Sequence, residues 1–382
     1  MTPTPRQAAM ILNGLPGVGP VACRRLREIF GDDLVAVLFA EKKKLFGVPG
    51  LGKTLAERIS AWRDFFDLEK EERALAAHDA KFIPFFDDAF PPLLKEIPDP
   101  PVGLYLRGNA DALPSRETVG LIGTRKASLY GTTQAKKISR ELAAAGWNVV
   151  SGGARGIDTA AHEAALEAGG RTLCVLGCGI DLVYPPDNAE LFKKIAQSSG
   201  ALLSEFPFGK KADKRTFPQR NRIIAGISAG TLVVESDCSG GSIITAHFAA
   251  DYGRTVFALP GRVEQPGSRG CHKLIREGAT LATCAADIID DLSGTPVQQL
   301  LALENAPAET GNRENPPQHA ESEKLSAEAQ KILAHLQNGD ALTPDALAEL
   351  TALPFPLVSA TLLLLELDRL VARKTDGSYE IL

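Results

Sequence analysis

A chain of 382 residues, 44% hydrophobic and 23% charged, is long enough for two or three domains with a sizeable core. A net charge of −5 excludes a surface coated in cationic charge, so any nucleic-acid contact must come from a local basic patch. No apolar run approaches the roughly 18 residues of a membrane span. The start, Met1-Thr-Pro-Thr-Pro, lacks the parts of a signal peptide, so a cytoplasmic protein without membrane contact is expected. Cysteines at 23, 174, 178, 238, 271 and 284 show no second pair at zinc spacing and read as packing residues; no metal or other cofactor is expected.

Residues 1 to about 75 read as short helices. Two similar turns, Leu15-Pro-Gly-Val-Gly-Pro20 and Val48-Pro-Gly-Leu-Gly-Lys53, precede helical patterns over Val21–Phe30 and Thr54–Phe66. This resembles the helix-hairpin-helix (SAM-like) element, whose glycine turn offers backbone N–H groups to a DNA phosphate. A small helical domain that keeps the turn for its geometry and has lost the DNA contact is the reading preferred here. Gly47-Val-Pro-Gly-Leu-Gly-Lys-Thr54 also satisfies the P-loop pattern letter for letter. That motif needs a hydrophobic strand before it, and here Glu41-Lys-Lys-Lys44 precedes, so ATP binding is not expected.

Phe82 to Gly108, rich in proline and aromatics, reads as an extended segment ending in a strand at Leu104–Arg107. From 117 to about 290 strands and helices alternate. The strands are Thr118–Ile122, Asn148–Ser151, Thr172–Leu176, Ala201–Leu203, Thr231–Val234 and Thr255–Ala258; the helix-like stretches include Leu129–Ala145, Gly156–Ala168, Ala189–Ala196 and Ser242–Tyr252. Near-continuous apolar strands separated by helices predict an α/β, Rossmann-like, doubly wound and mostly parallel sheet over 82–292. Such sheets bind ligands beyond the C-terminal strand ends.

Glycine and polar turns fall at those ends. The first, Gly123-Thr124-Arg125, leads from a strand towards a helix with Ser128 close to its start. A strand that breaks at glycine and feeds a helix aims free N–H groups at an anion, and a guanidinium adds a fork that fits phosphate. Ser151-Gly-Gly-Ala-Arg-Gly-Ile-Asp158, Gly177-Cys-Gly-Ile-Asp181 and Ser239-Gly-Gly-Ser-Ile-Ile-Thr245 follow other strands, and together they suggest a shared polyanion site. NAD is disfavoured: Gly120-Leu-Ile-Gly123 lacks the G-x-G-x-x-G spacing, and Ser151-Gly-Gly places no carboxylate for a ribose.

Between Glu205 and Arg222 lie six bases (Lys210, Lys211, Lys214, Arg215, Arg220, Arg222) and two acids, with Phe208 and Phe217 interleaved. Charge that tracks a backbone, with aromatic faces for bases, suits single-stranded nucleic acid. A solvated loop with its aromatics tucked into the core is the plainer alternative.

At this point the residues carry a resemblance. Gly123-Thr124-Arg125 with Ser128 and Tyr130-Gly131, Ser151–Asp158, Gly179-Ile-Asp-Leu-Val-Tyr-Pro-Pro186, Phe217-Pro-Gln-Arg-Asn-Arg-Ile-Ile224 and Pro260-Gly261 are similar to motifs of the DNA-processing protein A (DprA/Smf) family, continuously from about Phe82 to Leu292. The resemblance implies a non-enzymatic, single-stranded-DNA-binding protein. It would protect incoming DNA in natural transformation and load the recombinase RecA past single-strand-binding protein, working as a homodimer. It implies DNA contacts at Arg125, Lys214 and Phe217, with Arg220, Asn221 and the Gly241-Ser242 turn beside them. The same motifs add Gly123, Thr124, Ser128, Gly153, Arg222 and Gly240 to the candidate site. Thr124 and Gly240 each stand where the family pattern has Ser.

Residues 293–322 read as a linker containing Pro307 and Pro316-Pro317. From 323 to 382 helical patterns return at Ala327–Leu336, Thr343–Thr351 and Pro356–Arg369, then a hairpin turned by Asp376-Gly377, which together predict a winged helix. Nine acids against five bases there favour an interaction module over duplex binding. The strongest rival from another class is a phosphoribohydrolase, for which Glu235 or Asp237 would supply the carboxylate, although the expected P-G-G turn is missing.

Overall fold

The computed structural model describes residues 2–113, 116–293, 327–336, 342–351, 353–367, 370–373 and 378–381. They fall into two compact units, one containing the described residues up to Ser293 and one those from Ala327.

The first unit opens with six helices: α1 (Pro5–Gly14), α2 (Pro20–Phe30), α3 (Leu34–Leu38), α4 (Lys42–Phe46), α5 (Lys53–Ser60) and α6 (Leu68–Ala77). Thr4 caps α1 through a reciprocal pair with Gln7. The two glycine turns join α1 to α2 and α4 to α5, and they are cross-braced by arginines at equivalent positions of the repeat. Arg25 donates to the Gly50 carbonyl at 2.7 Å, and Arg58 donates to the Pro16 carbonyl. A helix, not a strand, precedes Gly47, so the P-loop-like stretch lacks the context that motif needs. The helix expected over Thr54–Phe66 ends at Ser60, and a short 3-10 turn at Trp62–Asp64 follows.

The chain then enters the sheet: β1 (Ala80–Pro84), a short α7 (Pro92–Lys95), β2 (Gly103–Gly108), β3 (Thr118–Gly123), α8 (Leu129–Ala144), β4 (Asn148–Ser151), α9 (Ile157–Glu167), β5 (Thr172–Leu176), α10 (Ala189–Gln197), β6 (Ala201–Ser204), α11 (Thr216–Ile227), β7 (Gly230–Glu235), α12 (Gly241–Asp251), β8 (Thr255–Ala258), α13 (Arg269–Arg276), β9 (Thr280–Leu281) and α14 (Ala285–Ser293). The order across the nine strands is β1-β2-β6-β5-β4-β3-β7-β8-β9. β2 runs antiparallel to both β1 and β6, and the other neighbours are parallel.

Residues alternate faces along each strand, as the pleat requires. Val119, Leu121, Val149, Leu232 and Val234 pack with Ala135, Ile138, Leu142 and Ile157 of α8 and α9. Ile122, Val150, Val175 and Val233 turn the other way, onto Ile223, Ile224 and Ile227 of α11 and Ile243 of α12. Both faces are covered, so the sheet is doubly wound. The helical N-terminus shares a third cluster with it, in which Ala8–Leu12, Leu45 and Ile59 join Phe82, Tyr105, Cys174 and Leu202. The elements named from the sequence do not include β1, α7, α11, α13, β9 or α14. α11 takes up the second half of the basic stretch.

The second unit holds α15 (Ala327–Leu336), α16 (Pro344–Thr351), α17 (Phe355–Leu367) and the strands β10 (Val371–Arg373) and β11 (Tyr379–Ile381), paired antiparallel. Ile332, Leu336, Leu347, Val358, Leu362 and Val371 form its core. Among the described residues, three helices and a two-stranded wing make the winged helix that the sequence predicts. The expected linker beyond Ser293, and the turn at Asp376-Gly377, lie outside the described residues.

Candidate nucleic-acid interface

Strand order reverses at β3: β4, β5 and β6 leave on one side and β7, β8 and β9 on the other. Open α/β sheets bind ligands in the crevice above such a reversal, at the C-terminal strand ends. Here those ends are Gly123 and Glu235. The ladder shifts register between Ile122 and Gly123, and Thr124 N then donates to the Glu235 carbonyl at 2.7 Å. Glycine at 123 is required by space: a Cβ would lie 2.5 Å from Ile157 Cγ1 and 2.9 Å from the Glu235 carbonyl oxygen. The turn is thus pressed against the start of α9, where Ile157 N donates to the Thr124 carbonyl at 3.2 Å.

A groove of about 450 Å³ occupies the crevice. Of the thirteen residues expected at the site, ten line it: Gly123, Thr124, Arg125, Lys214, Phe217, Arg220, Asn221, Gly240, Gly241 and Ser242. The exposed Arg125 guanidinium lies over the Phe217 ring, 5.0 Å from its centroid. Lys214 is exposed, with no ion pair among the described residues. α12 starts at Gly240 without a side-chain cap, so its first N–H groups and positive helix end meet the groove. Asn221 Nδ2 donates to the Gly241 carbonyl at 3.2 Å, tying α11 to that turn. Ser242 is buried and donates to Ser236 Oγ at 2.7 Å. The same Ser236 explains Gly240: a Cβ there would sit 2.5 Å from Ser236 Oγ, so a serine would have to displace it.

Three of the expected residues serve the fold instead. Ser128 caps α8, accepting from Gly131 N at 3.0 Å. Gly153, at φ +64°, is buried, and a Cβ would lie 2.6 Å from Cys174 Sγ. Arg222 does not reach the groove: it points to the opposite side of α11, where it pairs with Glu205 and donates to the Asp99 carbonyl at 2.7 Å. Arg220 lines the groove floor, but it is only 5% exposed and donates to the carbonyls of Gly152 and Val175 at the ends of β4 and β5. The basic stretch therefore divides. Lys210, Lys211, Lys214 and Arg215 are exposed, while Arg220 and Arg222 turn inward because α11 packs its inner face on the sheet. Phe208 is withdrawn too, its ring 5.5 Å from Tyr105 and 5.4 Å from His78. The alternative of aromatics tucked into the core holds for Phe208.

Charge below the floor is compensated. Asp158 accepts from Gly152 N and Ala154 N at 3.2 Å each. Burial pushes its carboxyl up, against the pull of the Arg220 guanidinium and those N–H groups. Burial and the same guanidinium drive the His162 imidazole down to about 3, so it is neutral, with Nδ1 2.7 Å from Thr172 Oγ1. At the rim, Asp213 accepts from Arg215 N and Thr216 N at the start of α11, which hold its carboxyl below the usual range.

The carboxylate proposed for hydrolysis faces away from the groove. Glu235 Oε2 accepts from Ser128 N at 2.9 Å, and the carboxylate packs where side chains on Gly131 and Gly267 would otherwise sit. Asp237 does line the groove, but its Oδ1 accepts from Cys238 N at 2.6 Å. Among the described residues no His/Cys/Asp/Glu cluster could hold a metal, and no helix is long and apolar enough to cross a membrane. Sequence reasoning gave no role to Tyr184 and Arg155, which border the groove near Phe217; their motifs were visible, their convergence was not.

A doubly wound domain with a cationic, aromatic groove at its switch point, joined to a winged helix, defines a polyanion-binding protein of the nucleic-acid type. The chain belongs to the family described as DNA recombination-mediator protein A, which matches residues 81–293, and residues 316–377 match the DprA winged helix domain. It is 36% identical to Protein Smf of Synechocystis, over 95% of this chain and 96% of that one. It is 38% identical to Protein Smf of Escherichia coli, over 92% of each. Among solved structures, DNA processing protein A of Streptococcus pneumoniae aligns with TM-score 0.65 and 32% identity, covering 76% of this chain and 99% of that one. The Helicobacter pylori protein, described for its single-stranded DNA binding mode, aligns with TM-score 0.51 and 30% identity over 56% and 95%.

Proposed function

We propose that this recombination mediator binds single-stranded DNA in the β3/β7 groove. It protects incoming DNA in natural transformation and loads the recombinase RecA onto it past single-strand-binding protein. It acts as a homodimer in the cytoplasm and performs no chemical step of its own. The observation that carries the reading is the stack of Arg125 on Phe217 beside Lys214 and the uncapped start of α12. A planar cation on an aromatic ring accepts an unstacked base of any sequence, while an unpaired lysine and free N–H groups accept phosphate. An extended single strand exposes both at once; a duplex hides its base faces. The H. pylori relative, studied for single-stranded DNA binding, supports the same polymer.

Anisotropy titrations of a labelled single strand and its duplex over a salt series test this. The strand should bind in preference, and Lys214→Ala should weaken every sequence and make the salt slope shallower by about 0.7. Phe217→Ala should cost about 1–3 kcal/mol while leaving the slope nearly intact. RecA assembly on strand pre-coated with single-strand-binding protein should quicken with the wild type and not with Lys214→Ala. Equal binding of strand and duplex would reject the groove reading. Release of free adenine from AMP, lost in Asp237→Ala, would install the hydrolase instead.

A further inference from the structure

The groove does not end at Phe217. A smaller cleft continues from it across the ends of β4 and β5, lined by Gly152, Arg155, Gly177 and Tyr184. The two hollows share Arg125, Ala154, Phe217 and Arg220, so they adjoin, with Phe217 at the junction. Tyr184 is 45% exposed, and its ring lies 5.6 Å from the Phe217 ring at an interplanar angle of 40°. Arg155 is exposed on the turn between β4 and α9, its Nε on the Asp187 carboxylate. An exposed pair of that kind holds its guanidinium weakly in place.

The loop that carries Tyr184 is fixed. Gly179 N donates to the Lys210 carbonyl at 2.8 Å, the Asp181 carboxylate accepts from Gly209 N at 3.0 Å, and Ser204 Oγ donates to the Cys178 carbonyl at 2.6 Å. It is therefore tied to the segment that leads into Lys210, Lys211 and Lys214. A large aromatic ring held half in solvent on a braced loop, next to a second ring and two exposed arginines, is placed for contact with a ligand rather than for the core.

We propose that Tyr184 is a second base platform and Arg155 its phosphate partner, so that the strand passes over Phe217 and continues across β4 and β5. The inference rests on the single-strand reading of the groove. Two rings close together but tilted apart suit successive unstacked bases of a splayed strand, and the exposed Arg155 on the same hollow supplies a cation for its backbone.

The test uses the full chain and labelled oligothymidylates of increasing length. On long strands Tyr184→Ala should weaken binding by about 5- to 100-fold with an unchanged salt slope, and Tyr184→Phe should restore it, since either ring offers a face. Arg155→Ala should make the slope shallower by about 0.7. On the shortest strands that bind, which fill the main groove alone, Tyr184→Ala should match the wild type. A strand carrying 5-iododeoxyuridine should photo-cross-link to Tyr184. If Phe217→Ala and Lys214→Ala lose affinity while Tyr184→Ala keeps it at every length, the extension is wrong and the main groove stands. If the wild type prefers no single strand, both readings fall together.

Discussion

Lys214 and Arg222 stand eight positions apart in one basic stretch, and their surroundings give them opposite roles. Lys214 is exposed at the groove, whereas Arg222 has 6% of its side chain exposed and meets Glu205 and Asp99. Burial pushes the Glu205 carboxyl up, against the pull of Arg222, so this acid depends on its partner for its charge. Tyr252 OH also donates to Asp99 at 3.0 Å, which makes the cluster a junction of α11, α12 and the segment before β2. Removing one member of a buried pair costs about 3–5 kcal/mol, because the other charge stays behind. Arg222→Ala should therefore lower folding stability by about that much in denaturant titrations, while the salt slope of single-strand binding by the folded fraction stays at the wild-type value. Lys214→Ala should do the reverse. If Arg222→Ala left stability intact and flattened the slope, Arg222 would be a phosphate contact after all.

At the scale of elements, the N-terminal helices reach the loop that leads into the groove at the switch point. Asn13 at the end of α1 donates to the Glu205 carbonyl at 2.8 Å. Glu71 of α6 accepts from Phe208 N at 3.1 Å and from Tyr105 OH at 2.6 Å. Burial raises the Glu71 carboxyl despite those two donors. Its folded form therefore holds a proton more readily than the unfolded chain. Stability from this group is full below the ordinary carboxylate range and is lost as pH rises through the elevated folded value. Glu71→Gln keeps an acceptor and removes the titration. The stability of the wild type relative to Glu71→Gln should thus increase as pH is lowered from about 7 to about 4. A difference that is flat with pH would mean that Glu71 titrates alike in both states. This bracing gives the helical segment a structural role in the site, whether or not its glycine turns also meet DNA.

At the scale of the whole molecule, the two units have separate cores. The first depends on clusters drawn from residues up to Leu292, and the winged helix on Ala329 to Tyr379. Among the described residues, none that lines the groove comes from the second unit. A chain ended after Ser293 should therefore keep its unfolding midpoint and bind single strands within about twofold of the full chain, since it retains every contact of the groove. A large loss of affinity would give the acidic winged helix a direct part in DNA binding. Retained affinity with lost RecA assembly would instead assign it to partner contact.

The sequence by itself determined the alternation of strands and helices, because continuous apolar runs such as Thr172–Leu176 stop at glycine turns and leave few other folds. It also placed Gly123, Arg125 and the Gly240–Ser242 turn at strand ends, since a turn that frees N–H groups has a local signature. Direction of side chains was decided elsewhere. Whether a base in 205–222 meets solvent or carbonyls depends on α11 packing against β3, β4 and β5, and that packing turned Arg220 under the floor and Arg222 away from it. The fate of Phe208 depended on Tyr105, more than a hundred residues earlier. Tyr184 shows the same limit from the other side: its motif was legible, but only the assembled sheet brought its ring beside Phe217. Local chemistry fixes elements and turns; long-range packing decides which charges and rings a ligand can reach.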